Sequence, residues 1–363
     1  TNGSFTTLTK TTSSSGSNTI VSWAYVFNDS GNSSVDGLYL NGTITTPGNM
    51  TIDDFDSIPL SRQGRQFKNY IGSFPSSSTN IPTLLANTSC IEMFFGANTF
   101  NQDIGSWDTS NVNNMNSLFS SATSFNQTLS SWDTSNVTDM SYMFDNATSF
   151  NQDLSNWNTS NITNMSMMFR NAESFNKDIG SWNVSNIIFL NGMFRDASSF
   201  NQDISGWDVS NVSEMSGMFQ RTEDFNQNIG NWNTSKATNM NGMFSGAKSF
   251  NQDIGSWNVS NVSEMNGMFY NAESFNQDIG SWDVSSVIDM YKMFDNATSF
   301  NQDISNWDVS NVENMYYMFL NASSFNQNLG KWDVTNVNNC SGFDANTSNW
   351  LKPKPNFINC NVN

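Results

Sequence analysis

Apolar side chains return along this chain at a fixed interval. From Phe100 to Phe325 a Phe stands every 25 residues, each followed by Asn, and a Trp comes six residues after every such Asn, from Trp107 to Trp332. Met or another apolar residue recurs at the same interval from Met115 to Met315, and a second Phe closes each unit, from Phe119 to Phe319. Within a unit two spacings alternate. Ile279, Trp282 and Val284 stand at i, i+3 and i+5, ending in the alternation of a short strand with one buried face. Met290, Met293 and Phe294 stand at i, i+3 and i+4, which predicts a short helical turn. Alone, one such unit buries too little to offset its ordering entropy. Stacked ten deep, the units bring Phe, Ile or Leu, Trp and Met into continuous columns that form one elongated core. At the ~4.8 Å spacing of paired strands such a stack is a rod or arc of roughly 50 Å.

Polar positions follow the same interval. Asn fills every place from Asn101 to Asn326, and a second Asn column at 111, 136, 161, 186, 211, 261, 311 and 336 is broken only by Lys236 and Ser286. Stacked amides can bond one another and the backbone of tight turns, so both columns are expected to be buried ladders at the corners. Asn276 then holds its corner against Asn251 and Asn301, beside a core ladder of Trp257, Trp282 and Trp307. The competing reading, carbohydrate-binding amides, requires them to face solvent. All six Pro lie at 47, 59, 75, 82, 353 and 355, outside the repeats, as expected where backbone N–H groups are committed to bonds between units.

The unit, written over residues 274–294 as SFNQDIGSWDVSSVIDMYKMF, resembles the repeat of BspA-like surface proteins, relatives of the leucine-rich repeats. Ile279-x-x-Trp282-x-Val284 is similar to their L-x-x-L-x-L strand signature. The resemblance implies a right-handed solenoid, export to the cell surface and a role in adhesion without catalysis. It carries no ligand with it.

The fold expected is therefore a repeat solenoid, leucine-rich-repeat-like, with a small N-terminal β region. Residues 1–17 read as an extended Thr/Ser-rich leader, 18–89 as a β-rich N-terminal cap or domain, 90–339 as about ten repeats and 340–363 as a C-terminal cap. Strands are expected within 18–27, 37–46 and 49–55. Phe5 and Leu8 alternate with polar residues well enough to serve as an added strand in a neighbour. The chain begins at Thr1 without Met, which reads as a product whose leader has been removed, with an artificially trimmed chain as the alternative. Cys340 and Cys360 flank the terminal segment, and a disulfide between them would brace it by ~3 kcal/mol. Cys90 is left over, either as a buried thiol or as a partner in a bond between molecules.

Composition then narrows the chemistry. The net charge is −18, with 14 Lys plus Arg and no basic run, which argues against nucleic acid and against anionic membranes. No apolar run reaches the ~18 residues of a membrane helix, so direct insertion is not expected. The chain has no His, the commonest acid/base and metal ligand, and it reads as non-enzymatic. A glycan-active enzyme would need paired carboxylates outside the regular columns, and the sequence places none there.

Asp fills 103, 153, 178, 203, 253, 278 and 303, with Asp or Asn from 108 to 333. At ~5 Å in water the repulsion between neighbouring carboxylates is only ~0.8 kcal/mol, so these columns need no metal, although weak calcium binding is an open expectation. Asn28, Asn32, Asn41, Asn49, Asn87, Asn146, Asn296 and Asn321 are candidate glycosylation sites, whereas sequons in the corner ladder, such as Asn136 and Asn211, are expected to be inaccessible. Variation gathers on the helical turn, at Tyr142, Met167, Tyr270, Tyr291, Tyr316 and Tyr317, where lateral contacts would be made. The function expected is an extracellular structural or surface element that self-associates or meets surface proteins and glycans, with an adhesin that binds host or matrix ligands as the alternative.

Overall fold

The computed structural model describes residues 5–7, 25–27, 38–39, 67–68, 84 and 87–362. From Thr88 onward the chain is a stack of repeated units, each lying on the next in parallel. One residue per unit forms a parallel bridge to its counterpart, from Asn114 with Asp139 to Asn314 with Asn339. The hydrogen bonds around it show how so short a contact holds. Met290 donates its N–H to the Asn314 carbonyl (2.9 Å), Lys292 to Tyr316 (3.0 Å), Phe294 to Met318 (2.8 Å) and Asn296 to Leu320 (2.8 Å). The N–H groups between them close turns instead: Met293 to Met290 (3.2 Å), Asp295 to Lys292 (3.2 Å) and Ala297 to Phe294 (3.0 Å). Backbone donors thus alternate between the neighbouring unit and their own turn, and none of these is left unpaired in the interior.

This corrects the expected helical turn, because among the described residues there is no helix. The spacing of Met290, Met293 and Phe294 arises from consecutive i to i+3 turns over 291–296. Lys292 has φ +52° and Asn296 φ +58°, values that an α-helix does not contain. The same two positions are left-handed elsewhere and are often Gly or Asn, as at Gly192, Gly242, Asn171 and Asn321. The expected strand at Ile279–Val284 is also absent. Trp282 donates to the Ile279 carbonyl (3.1 Å) and Val287 to Val284 (2.9 Å), so that segment is two more turns, and the bridge lies at Asp289. Inward placement was read correctly, since Ile279, Trp282 and Val284 are all buried; the backbone type was not.

Aromatic columns fill the core. Phe294 lies flat on Phe300 of its own unit (4.1 Å, 5°) and on Phe319 of the next (5.4 Å, 12°). Trp282 faces Trp307 at 6.5 Å with planes 1° apart. Each indole N–H donates across the interface between units: Trp257 to the Ile229 carbonyl (3.0 Å), Trp282 to Ile254 (3.1 Å) and Trp307 to Ile279 (3.0 Å). The Trp column therefore buries a large apolar body and satisfies its one polar atom in a single arrangement.

At the front, strands β4 (Thr88–Ser89) and β5 (Val112–Asn114) pair in parallel, and Phe67 stacks on Phe94 at 5.2 Å. Earlier in the chain β1 (Phe5–Thr7), β2 (Tyr25–Phe27) and β3 (Leu38–Tyr39) form an antiparallel sheet in the order β1-β2-β3. Phe5 pairs with Phe27 and Thr7 with Tyr25, so the stretch expected to lend a strand to a neighbour pairs within its own chain. The strand expected within 49–55 lies outside the described residues.

At the back the flat stacking is stopped by geometry. Trp350 meets Phe325 edge-on (4.7 Å, 84°) and Phe319 likewise (5.3 Å, 73°). An edge-on ring covers the final faces without offering a new one to stack on. The Cys340–Cys360 disulfide closes this cap, and Gly342 donates to the Val362 carbonyl (2.8 Å). Cys90 is buried in the core, and desolvation pushes its thiol up to about 12, so it is a packed thiol and not an exposed partner for a bond between molecules.

Candidate functional site

Asp and Asn side chains that could carry chemistry are mostly committed to the backbone. Asp278 accepts the Gly280 N–H (2.9 Å) and Asp303 the Ser305 N–H (2.9 Å). One turn later Asp283 accepts both the N–H (3.1 Å) and the hydroxyl (2.6 Å) of Ser285. Each column is a stack of Asx turns, a role that needs an acceptor two residues before a free N–H and no metal. Among the described residues no group of three or more Asp, Glu or Cys is arranged to hold a metal ion.

These bonds favour the ionised form. The Ser or Thr hydroxyl two residues on, with its backbone N–H, holds Asp108, Asp133, Asp208, Asp283, Asp308 and Asp333 below the ordinary carboxylate range. A depressed carboxylate contributes stability that is complete above its unfolded pKa and is lost as pH falls through its folded one. Asp295 has the opposite sign: burial pushes it up to about 6, so its ionisation opposes folding as pH rises through that value. Thermal melts across pH are therefore expected to be level or slightly higher at pH 5 than at pH 7, and to fall below about pH 4. A melting temperature that keeps rising below pH 4 would contradict the Asx-turn role.

The Asn ladder is bonded as a ladder but is not interior. Asn276 donates its N–H to Asn251 Oδ1 (2.9 Å), and Asn301 does the same to Asn276 (2.9 Å). Gln302 Nε2 adds a bond to Asn276 Oδ1 (3.0 Å). Asn251 and Asn276 are half-buried and Asn301 is exposed, because the column runs along an outer edge and not under it. Likewise Asn136 Nδ2 donates to the Ser110 carbonyl (2.8 Å) and Asn211 to Ser185 (2.7 Å), yet both residues are exposed, contrary to the expected inaccessible corner.

Of the glycosylation candidates, Asn87 is exposed, while Asn146, Asn296 and Asn321 are half-buried. The last three all have φ near +58°, so the turn itself accounts for Asn at these positions. Asn28, Asn32, Asn41 and Asn49 lie outside the described residues.

What the repeats do not share is concentrated on the turn face, at 291, 292 and 295 and their counterparts; Tyr291 and Lys292 are half-buried and Asp295 is buried. In one group Arg170 grips Asp145 with two bonds of 2.7 Å and its guanidinium lies 5.6 Å from the Tyr142 ring. Arg221 pairs with Asp196 one unit below, and Arg195 lies 3.5 Å from the same carboxylate. In a second group Tyr291 stacks on Tyr316 (5.8 Å, 6°), Tyr316 touches Tyr317 (3.9 Å), and Lys292 stands among Tyr270, Tyr291 and Tyr317 at 5.1, 5.5 and 5.8 Å. The tyrosines were visible in the sequence. Lys292, Asp295 and the Arg–Asp pairs were not singled out; Lys292 stands in a column that is often Gly and Asp196 and Arg221 in one that is mostly Asn, whereas the column of Asp145, Arg170, Arg195 and Asp295 has no dominant residue.

Residues 88–204, 171–278 and 250–354 each match the family described as "Mycoplasma protein of unknown function, DUF285". No curated protein and no solved structure matches the chain.

Proposed function

The chain belongs to the DUF285 repeat family, and from that premise we propose a mechanical and positional role: a rigid, acidic, non-enzymatic element displayed outside the cell. In this reading the stack is a solenoid akin to leucine-rich repeats, and it serves as a subunit of a filament, coat or surface layer. The observation that carries it is the unbroken coupling of units. Interface after interface repeats the same amide ladder, the same Phe stacks and the same indole bond, up to a cap braced by a disulfide. Such a stack resists bending because each unit is bonded to both neighbours. A bonded cystine fits an oxidising, external setting.

The adhesin reading keeps the same scaffold and draws on the resemblance to BspA-like surface repeats. Its specific support is the turn face, where Tyr and Arg gather; these residues often dominate protein interfaces. Negative-stain electron microscopy and sedimentation of the full chain separate the two. Ordered polymers or side-by-side arrays are expected for the structural subunit. A stable monomer that coats cells or matrix, and loses that binding on Tyr316→Ser with Tyr317→Gly, would replace it with the adhesin.

A further inference from the structure

Lys292 occupies a left-handed place that the units fill unevenly, with Gly in five of them and Ser117, Tyr142, Met167 and Tyr317 in others. Its counterparts in four preceding units are Gly192, Gly217, Gly242 and Gly267, all with φ near +60°, and Lys292 adopts φ +52°. A Lys in the left-handed region is less favourable there than Gly, so its side chain has to gain something by being present. What surrounds it is a cage. The Nζ atom lies 5.1 Å from the Tyr270 ring, 5.5 Å from Tyr291 and 5.8 Å from Tyr317, and 3.7 Å from Asp295 Oδ2. Three aromatic faces and one carboxylate around an ammonium are the arrangement that desolvates a cation while compensating its charge.

The cage is not fully satisfied by its present tenant. Asp295 is 2% exposed, and its Oδ1 has no hydrogen-bond partner; Asn266 Oδ1, one unit below, is in the same condition. Among the described residues these are the two buried side-chain acceptors without partners; Asp295 faces Lys292, and Asn266 stands one unit below Tyr291 in its column. A buried acceptor left unpaired is destabilising, so these atoms mark a place able to receive a donor. At Gly267, directly below Lys292 in its column, an added Cβ would meet nothing nearer than the Tyr270 Cβ at 3.8 Å.

We propose that Tyr270, Tyr291, Tyr317, Asp295 and Asn266 form a binding site for an organic ammonium group, which the ammonium of Lys292 fills in the free chain. Tyr316, stacked on Tyr291 and against Tyr317, backs the cage and holds its rings. The net charge of −18 draws cations toward the surface as a whole, and the rings select those that are organic. The site is independent of whether the chain is a structural subunit or an adhesin.

Lys292→Gly removes the tenant and restores the residue that other units carry, so this variant is expected to fold with an unchanged far-UV spectrum. Titrated calorimetrically with tetramethylammonium chloride at constant ionic strength, the full-length variant is expected to bind at least about tenfold more tightly than the parent chain, by the usual strength of such cages. Adding Asp295→Asn to that variant is expected to return binding to the parent level, and tert-butanol, similar in shape but uncharged, is expected not to bind. Methylammonium titrated in parallel separates a primary amine from a quaternary one, and tighter binding of either by Lys292→Gly supports the site. Equal binding of both cations by parent and Lys292→Gly, or equal binding of tert-butanol, would overturn it.

Discussion

Trp282→Ala is expected to lower the stability of the chain by about 3–5 kcal/mol, read as a lower urea midpoint. Three losses combine at this residue. The buried indole leaves a cavity, its flat contact with Trp307 at 6.5 Å is gone, and its N–H bond to the Ile254 carbonyl at 3.1 Å is lost, leaving that carbonyl only the Trp257 N–H. The second and third fall on the interfaces with the units above and below, so the damage weakens coupling as well as one unit. Ser281→Ala, one residue away, provides the contrast. Its exposed hydroxyl donates to the Gly255 carbonyl at 3.1 Å, and its loss is expected to move the midpoint by no more than a surface substitution does, about 0.5 kcal/mol. Equal midpoints for Trp282→Ala and the parent would remove the Trp column from the core.

Excising residues 226–250 is expected to leave a folded, cooperatively melting chain, whereas excising 226–238 is expected to abolish the stack beyond the cut. In the first variant Phe225 is followed by Asn276's counterpart, Asn251, and every interface can re-form. Asn251 would donate to Asn201 Oδ1 just as Asn226 now does at 3.0 Å, and Trp257 would face Trp207. The shorter excision instead sets Trp257 at the place of Phe244, in the second Phe column, and Met240 at the place of Gln227, where it cannot donate to Asn201. The lost contacts then recur at the altered interface, with unsatisfied backbone groups that one unit cannot repair. Near-UV circular dichroism and Trp emission follow the outcome. A native-like spectrum after the off-register excision would show that units are not coupled through fixed columns.

Much of this was written in the chain. Phe275, Ile279, Trp282, Val284, Met290, Met293 and Phe294 were placed inward from periodicity alone, and all are buried. Cys340 and Cys360 were paired from their flanking of the cap. The left-handed turns have a trace in the chain, in the Gly of 192, 217, 242 and 267 and the Asn of 146, 171, 271 and 296, but an i, i+3, i+4 spacing is shared by a helix and by successive tight turns and does not separate them. The Asn ladder shows a different limit. Its bonding partners followed from repetition, yet its partial exposure did not, because a polar column can be held equally well under a corner or along an outer edge.

The sequence by itself determined the period, the apolar columns and therefore a stack of repeats, because only a stack can bury side chains that recur at one interval. Tertiary structure decided where the backbone hydrogen bonds go. A unit of this length has too few internal partners, so half of the donors between Met290 and Asn296 are satisfied only by the next unit, and that choice turns would-be helix and strand into turns. It also decided what departures from the repeat mean. Lys292, Asp295, Tyr270 and Tyr317 are spread over three units, and stacking alone brings them around one ammonium.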